Sequence, residues 1–257
     1  MDKRKLNIFS WTMLIIVIIV STSFVSYRSN KVVCQKINVQ ISDSLLNRFV
    51  DRNDIVSFMK KSESLVFGKP IWDLNTALIE NRIENLSFVL NAEAYSDCKG
   101  QLNIIVRQKK PIIRVKNNAG GEFYIDNQGD VLPLSGKYAS HVLIVNGEIS
   151  NNVLVNKRKV KDYKNNRLNE IYTLAKFIDS NEFWRAQIQQ IYLTSNGEYE
   201  MIPRVGAHVI LFGSFYDYQN KFKKLMAVYQ QGFKYKGWNK YSIINLKFDN
   251  QIVCTKI

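Results

Sequence analysis

The first feature along the chain is an unbroken apolar run. From Ile8 to Val25 no residue is charged, and Met13 to Val20 reads MLIIVIIV. Eighteen helical residues at ~1.5 Å each reach about 27 Å, close to the ~30 Å hydrocarbon core of a bilayer. Trp11 and Tyr27 stand near the two ends, where amphipathic rings favour the headgroup region. A cleaved signal peptide is the competing reading; Thr22, Ser23 and Ser26 are small enough for it, but no A-x-A pattern follows the run. The pattern predicts a retained transmembrane helix over 8–27 behind a tail at 1–7. Lys3, Arg4 and Lys5 precede it while Arg28, Lys31 and Lys36 follow, so charge gives little contrast. The short tail beside a long folded part favours the N-terminus inside, a single-pass type II arrangement.

Beyond the run, periodicity changes element by element. Val32 to Ile41 alternates as a strand, Asp51 to Asp54 reads as a helix start, and Ile55, Phe58 and Met59 give it an apolar stripe. Gly68-Lys69-Pro70 breaks the chain. Asp73 or Asn75 then caps a second helix with Leu74, Leu78, Ile79 and Ile83 inward. Phe88 to Tyr95 and Gln101 to Gln108 form a hairpin in which Leu102, Ile104 and Val106 face one side. The order is strand, helix, helix, strand, strand, a small sheet with helices on one face.

From Pro111 the strands become short: 112–115, 122–125, 131–133 and 142–145, the last ending in Asn146-Gly147, a hairpin signal. A helix is predicted over 166–181 with Leu168, Ile171, Tyr172, Ala175 and Ile178 on one stripe. Strands follow at 188–193, 198–202 and 208–212. A second helix covers 217–231, with Tyr218, Phe222, Leu225, Met226 and Tyr229 inward and Gly232 at its C′ position. A hairpin, 241–248 and 251–256, closes the sequence. The expected class is α+β: an anchor helix, a domain at 32–115, and a domain of antiparallel strands with two helices at 116–257.

Composition narrows the chemistry. The formal net charge is +14, carried in basic clusters at 107–116, 157–167 and 221–247. Behind an outward-facing anchor the polyanions within reach are lipid headgroups and envelope polymers rather than nucleic acid. The favoured reading of the clusters is solvated lysine faces that keep the protein soluble and near the membrane. Three cysteines, Cys34, Cys98 and Cys254, exclude a disulfide framework or a structural zinc site; one bridge, Cys34 to Cys98, stays open. Two histidines, His141 and His208, have no acid or cysteine at metal-ligand spacing, so no metal or cofactor is expected. There is no G-x-S-x-G, S-x-x-K, H-E-x-x-H, Walker loop or G-x-G-x-x-G. No catalytic residue and no small-molecule substrate are assigned. Asp126 reads as a turn former beside Gly129, and the Tyr218, Phe222 and Tyr229 stripe as helix core.

Four segments in order carry a family resemblance: Val106-Arg107-Gln108-Lys109-Lys110-Pro111, Phe123-Tyr124-Ile125-Asp126-Asn127-Gln128-Gly129-Asp130-Val131, Val209-Ile210-Leu211-Phe212-Gly213 with its lysine-rich helix, and Ile244-Asn245-Leu246-Lys247-Phe248. Together with the anchor they resemble the FtsQ/DivIB family of bacterial cell-division scaffolds. Asn245, Lys247 and Phe248 stand where that family often has aspartate, arginine and tyrosine. The resemblance implies a POTRA domain at 32–115, a β-domain, and an inner-membrane protein with its soluble domains outside the cytoplasm at the division septum. It also implies FtsB/FtsL-type single-pass partners, with further divisome proteins reached through the POTRA domain. The family strand that docks the partner maps onto Lys247, Phe248, Asn250 and Gln251. With Ile252 and Lys256 of the following strand these form the candidate site. The expected mode is strand addition, with Lys247 meeting a partner carboxylate and Phe248 supplying apolar contact. An envelope accessory of outer-membrane transport or wall metabolism is the alternative, although residues 116–257 leave no room for a membrane β-barrel.

Overall fold

The computed structural model describes residues 11–23, 32–43, 48–61, 66–97, 99–149, 159–163, 166–233, 237–238, 240–249 and 251–257. Two compact units divide between Gln108 and Lys109. Within the first, residues 11–23 form helix α1, whose apolar side chains are all exposed, Leu14 and Ile18 by 51% each. Among the described residues no helix is long and apolar enough to cross a membrane. Residues 8–10 and 24–27 of the expected span, and the tail before it, lie outside those described.

The rest of the first unit is a three-stranded sheet in the order β1-β3-β2 carrying two helices: β1 Lys36–Ile41, α2 Arg52–Lys60, α3 Thr76–Glu84, β2 Val89–Ser96 and β3 Gln101–Gln108. Helix α2 starts where Asp51 and Asp54 satisfy each other's backbone N–H groups in a capping box. For α3 it is Asn75 that caps, accepting from Leu78 N at 2.9 Å. Ile55, Met59, Ile79 and Ile83 of the helices are buried, as are Leu102, Ile104 and Val106 of β3. Leu78, expected inward, is exposed because i, i+1 neighbours on a helix cannot share a face with Ile79. Cys34 is a buried free thiol, pushed up by that burial, while Cys98 lies outside the described residues.

One edge of this sheet is closed by side chains. Ala92 N donates to Glu84 Oε1 at 3.0 Å and Ala94 N to Glu80 Oε1 at 2.7 Å. Strand β2 pairs with β3 on its other side, so α3 spends two carboxylates on N–H groups that would otherwise template a foreign strand.

In the second unit, nine strands form one mixed sheet in the order β12-β11-β10-β9-β8-β7-β4-β5-β6. The strands are β4 Pro111–Lys116, β5 Glu122–Asp126, β6 Val131–Leu132, β7 Leu143–Gly147, β8 Ile188–Leu193, β9 Tyr199–Pro203, β10 Val209–Gly213, β11 Tyr241–Asn245 and β12 Val253–Lys256. Helices α4 Asn166–Ser180, α5 Glu182–Gln187 and α6 Tyr218–Ala227 accompany them. Residues 109–115 therefore belong here and not to the first domain: β4 bonds to β5 and β7. The sheet is not purely antiparallel, since β4–β7, β7–β8 and β10–β11 are parallel pairs.

Those parallel pairs correct the expected turn at Asn146-Gly147. Instead of folding back, Gly147 (φ 109°) ends β7 against Leu193, where an added Cβ would lie 2.1 Å from the Leu193 carbonyl oxygen. Glycine is needed there both for its left-handed φ and for the close approach. Gly232 is likewise not a C′ residue. It lies within a π-helical stretch, Val228–Phe233, that prolongs α6. Helix α5 had no signal in the sequence: at six residues it is too short for a periodic stripe, and only its Asn181 cap marks it. Its Trp184 is buried against Phe222 and Tyr229, with ring centroids at 5.1 and 5.9 Å. The Tyr218, Phe222 and Tyr229 stripe is thus core, as expected, with Tyr218 only partly buried.

Asp126 forms the predicted turn. Its Oδ1 accepts from Gln128 N at 2.9 Å and Asp130 N at 2.8 Å. Burial raises the pKa of this carboxyl, and among the described residues its Oδ2 has no hydrogen-bond partner.

Candidate partner-binding edge

The end of the nine-stranded sheet is built by a crossover. Strand β10 runs into helix α6, which returns the chain so that β11 lies parallel to β10, in the register Val209↔Ile243 and Ile210↔Ile244. Strand β12 then folds back antiparallel, Ile244 facing Cys254 and Asn245 facing Val253. Ile252 and Cys254 are half-buried against the core, whereas Val253, Thr255 and Lys256 are exposed. That alternation is a half-wet edge strand. Among the described residues no strand pairs with the outer side of β12.

Backbone polarity follows from one bond. Ile257 N donates to the Lys240 carbonyl at 3.3 Å, so Ile257, Thr255 and Val253 turn their N–H groups toward β11. Alternation sends those of Cys254 and Lys256 outward. An added strand would meet these two donors and the Cys254 carbonyl, whereas the Lys256 carbonyl accepts from Ser242 Oγ at 3.4 Å.

The turn between β11 and β12 is held from below by lysines. Lys224 Nζ, on α6, donates to the carbonyls of Phe248 at 2.8 Å and Asp249 at 3.1 Å. Lys247 N donates to Asn245 Oδ1 at 3.0 Å, and the Lys247 ammonium is ion-paired with Glu198, the residue before β9. The Lys247 charge is thus engaged within the chain through a partly exposed ion pair. Lys221, one turn before Lys224, is buried, donates to the Ser214 carbonyl at 2.7 Å and lies 5.3 Å from the Phe212 ring centroid. Its ammonium is held below its ordinary pKa, first by burial and then by Lys224.

Of the six residues singled out from the sequence, Phe248 is 45% exposed, Gln251 and Lys256 are exposed, and Ile252 is half-buried. Asn250 lies outside the described residues. Sequence reasoning missed Lys224 and Glu198. A lysine on a lysine-rich helix reads as solvated surface, and nothing local marks the one that reaches two carbonyls.

A small helix-bearing sheet followed by a mixed β-domain ending in an edge hairpin defines the class: a POTRA-like module joined to a division-protein β-domain. Residues 32–107 match the POTRA-like domain, and residues 110–255 match the domain described as FtsQ/DivIB, C-terminal related. The chain belongs to the FtsQ/DivIB family, a family of cell-division scaffold proteins. A comparison with curated proteins finds no match.

Proposed function

We propose that the protein is a membrane-anchored scaffold of the division complex, with no catalytic step of its own. It captures an extended segment of an FtsB/FtsL-type single-pass protein on the outer edge of β12. The observation that carries this reading is the outer side of β12, which presents main-chain donors at Cys254 and Lys256. Strand addition supplies affinity through such groups, and neighbouring side chains fix register. Phe248 and Val253 offer exposed apolar area beside that edge, and Gln251 and Lys256 offer polar contacts. Lys224 and Lys247 keep the turn in shape before the partner arrives, which lowers the ordering cost of binding.

The anchor is the apolar run at 8–27. Every residue of its described part, 11–23, is exposed, which supports this, because a helix apolar on every side has no stable place in water. The second unit and the part of the first that follows the anchor then lie outside the cytoplasm, and the first contributes septal recruitment. The test is co-purification of the full chain from cross-linked membranes. FtsB/FtsL-type proteins should be recovered and should be lost with a Cys254→Pro variant that still folds. Recovery of barrel-assembly proteins in their place would overturn the reading and favour an envelope-transport accessory.

A further inference from the structure

The point where the chain joins the first unit is clamped to a second segment. Ile71 N donates to the Val32 carbonyl at 3.0 Å, Cys34 N to the Lys69 carbonyl at 2.9 Å, and Gly68 N to the Cys34 carbonyl at 3.2 Å. Val33 and Pro70 form a β-bridge. A third segment joins them, since Gln35 N donates to the Gly100 carbonyl at 2.9 Å. Residues 32–35, 68–73 and the turn before β3 therefore share one end of the unit.

At that end stands Trp72, 61% exposed, on the 3₁₀ turn Ile71–Asp73. Leu74 is buried and fixes the turn, while Pro70 and Ile71 are half-buried beside it. Lys36, directly after the first of these segments, and Lys99 are exposed and Lys69 is half-buried, and the sequence adds Arg28 and Lys31 just before them. Eight residues of sequence, 24–31, lie between the described part of α1 and Val32, and a chain of that length spans at most roughly 30 Å. One tryptophan flanked by Asp73 and Asn75 is far too small for a stable protein interface, which needs roughly 800 Å² per partner. Indole rings with nearby lysines are instead what the headgroup region of a membrane accepts.

We propose that the Pro70–Trp72 knuckle is a second membrane contact, which rests on the anchor reading above. Trp72 seats its indole among the headgroups of the bilayer that α1 enters, and Lys36, Lys69 and Lys99 face anionic lipid phosphates. The contact sets the orientation of the first unit on the membrane in addition to the tether. The test uses the full chain reconstituted in vesicles containing phosphatidylglycerol, with lipids brominated either near the headgroup or deep in the acyl chain. Emission from Trp72 is isolated as parent minus Trp72→Phe, and that from Trp11 as parent minus Trp11→Phe. The expected result is loss of Trp72 emission, with a blue shift, to the shallow quencher, alongside quenching of Trp11. Quenching of Trp11 without any of Trp72 overturns the contact and leaves the anchor standing. Quenching of neither overturns both.

Discussion

A proline scan along β12 separates docking from folding, because the two faces of its backbone have different duties. Cys254 turns its N–H outward, and Thr255 turns its own toward Ile243 of β11. Among the described residues no strand pairs with the side of β12 to which the Cys254 N–H turns, so Cys254→Pro removes no ladder bond there and sits where edge strands tolerate proline. In the complex it leaves one partner carbonyl without a donor. A buried, unsatisfied backbone group costs about 1–3 kcal/mol, which is roughly 5- to 150-fold in affinity. Thr255→Pro should do the reverse, lowering stability by about 1–3 kcal/mol through the lost bond to β11. Cys254→Ala, which keeps the N–H, is the control for the side chain. The assay is isothermal titration with the extracytoplasmic segment of an FtsB-like partner, paired with urea unfolding of each variant. A folded Cys254→Pro protein that binds as tightly as the parent would refute strand addition at this edge.

Two further outcomes follow from side chains that close or strain the fold. Replacing Glu80 and Glu84 together by alanine should cost about 0.5–1.5 kcal/mol per lost bond and raise self-association in sedimentation, since the β2 edge is then bare; the glutamine pair should restore both. His208 is buried with its Nε2 2.9 Å from the Tyr229 hydroxyl, its Nδ1 without a hydrogen-bond partner among the described residues and its pKa lowered by burial. A depressed folded-state value means that stability is full above the unfolded pKa of ~6.5 and is lost as pH falls through the folded value. In urea titrations at a series of pH values, His208→Gln should flatten that loss, and an unchanged slope would show that another group carries it.

What the sequence made legible was whatever repeats at short range. The alternation of Leu102, Ile104 and Val106, the stripe of Leu168, Ile171 and Ile178, and the Asp126 turn each depend on neighbours within a few residues, and each is found as expected. The sequence order of elements came with them. Sheet order did not, because a strand's period says which face is buried and not which strand lies beside it. Asn146-Gly147 shows the limit. The dipeptide favours a tight hairpin, yet parallel pairing of β7 with β4 and β8 removes any strand for the turn to lead into. At the candidate edge the residues of the hairpin were visible, and their supports were not. Lys224 and Glu198 reach it from elsewhere in the chain, and contacts over such separations leave no local mark.

The three parallel pairings of the second unit also bear on how it is made. Strands β4 and β7 are separated by residues 117–142, β7 and β8 by 148–187, and β10 and β11 by 214–240. Each pairing must close its intervening loop before any ladder bond rewards it, which places the domain among slow, millisecond-to-second folders. Until closure, apolar strands such as Ile188–Leu193 lack partners on either side and can pair with copies of themselves. A chain carrying a net charge of +14 repels its own copies during that interval. The lysine excess then acts before the fold exists, lengthening the time in which each molecule can complete its sheet alone.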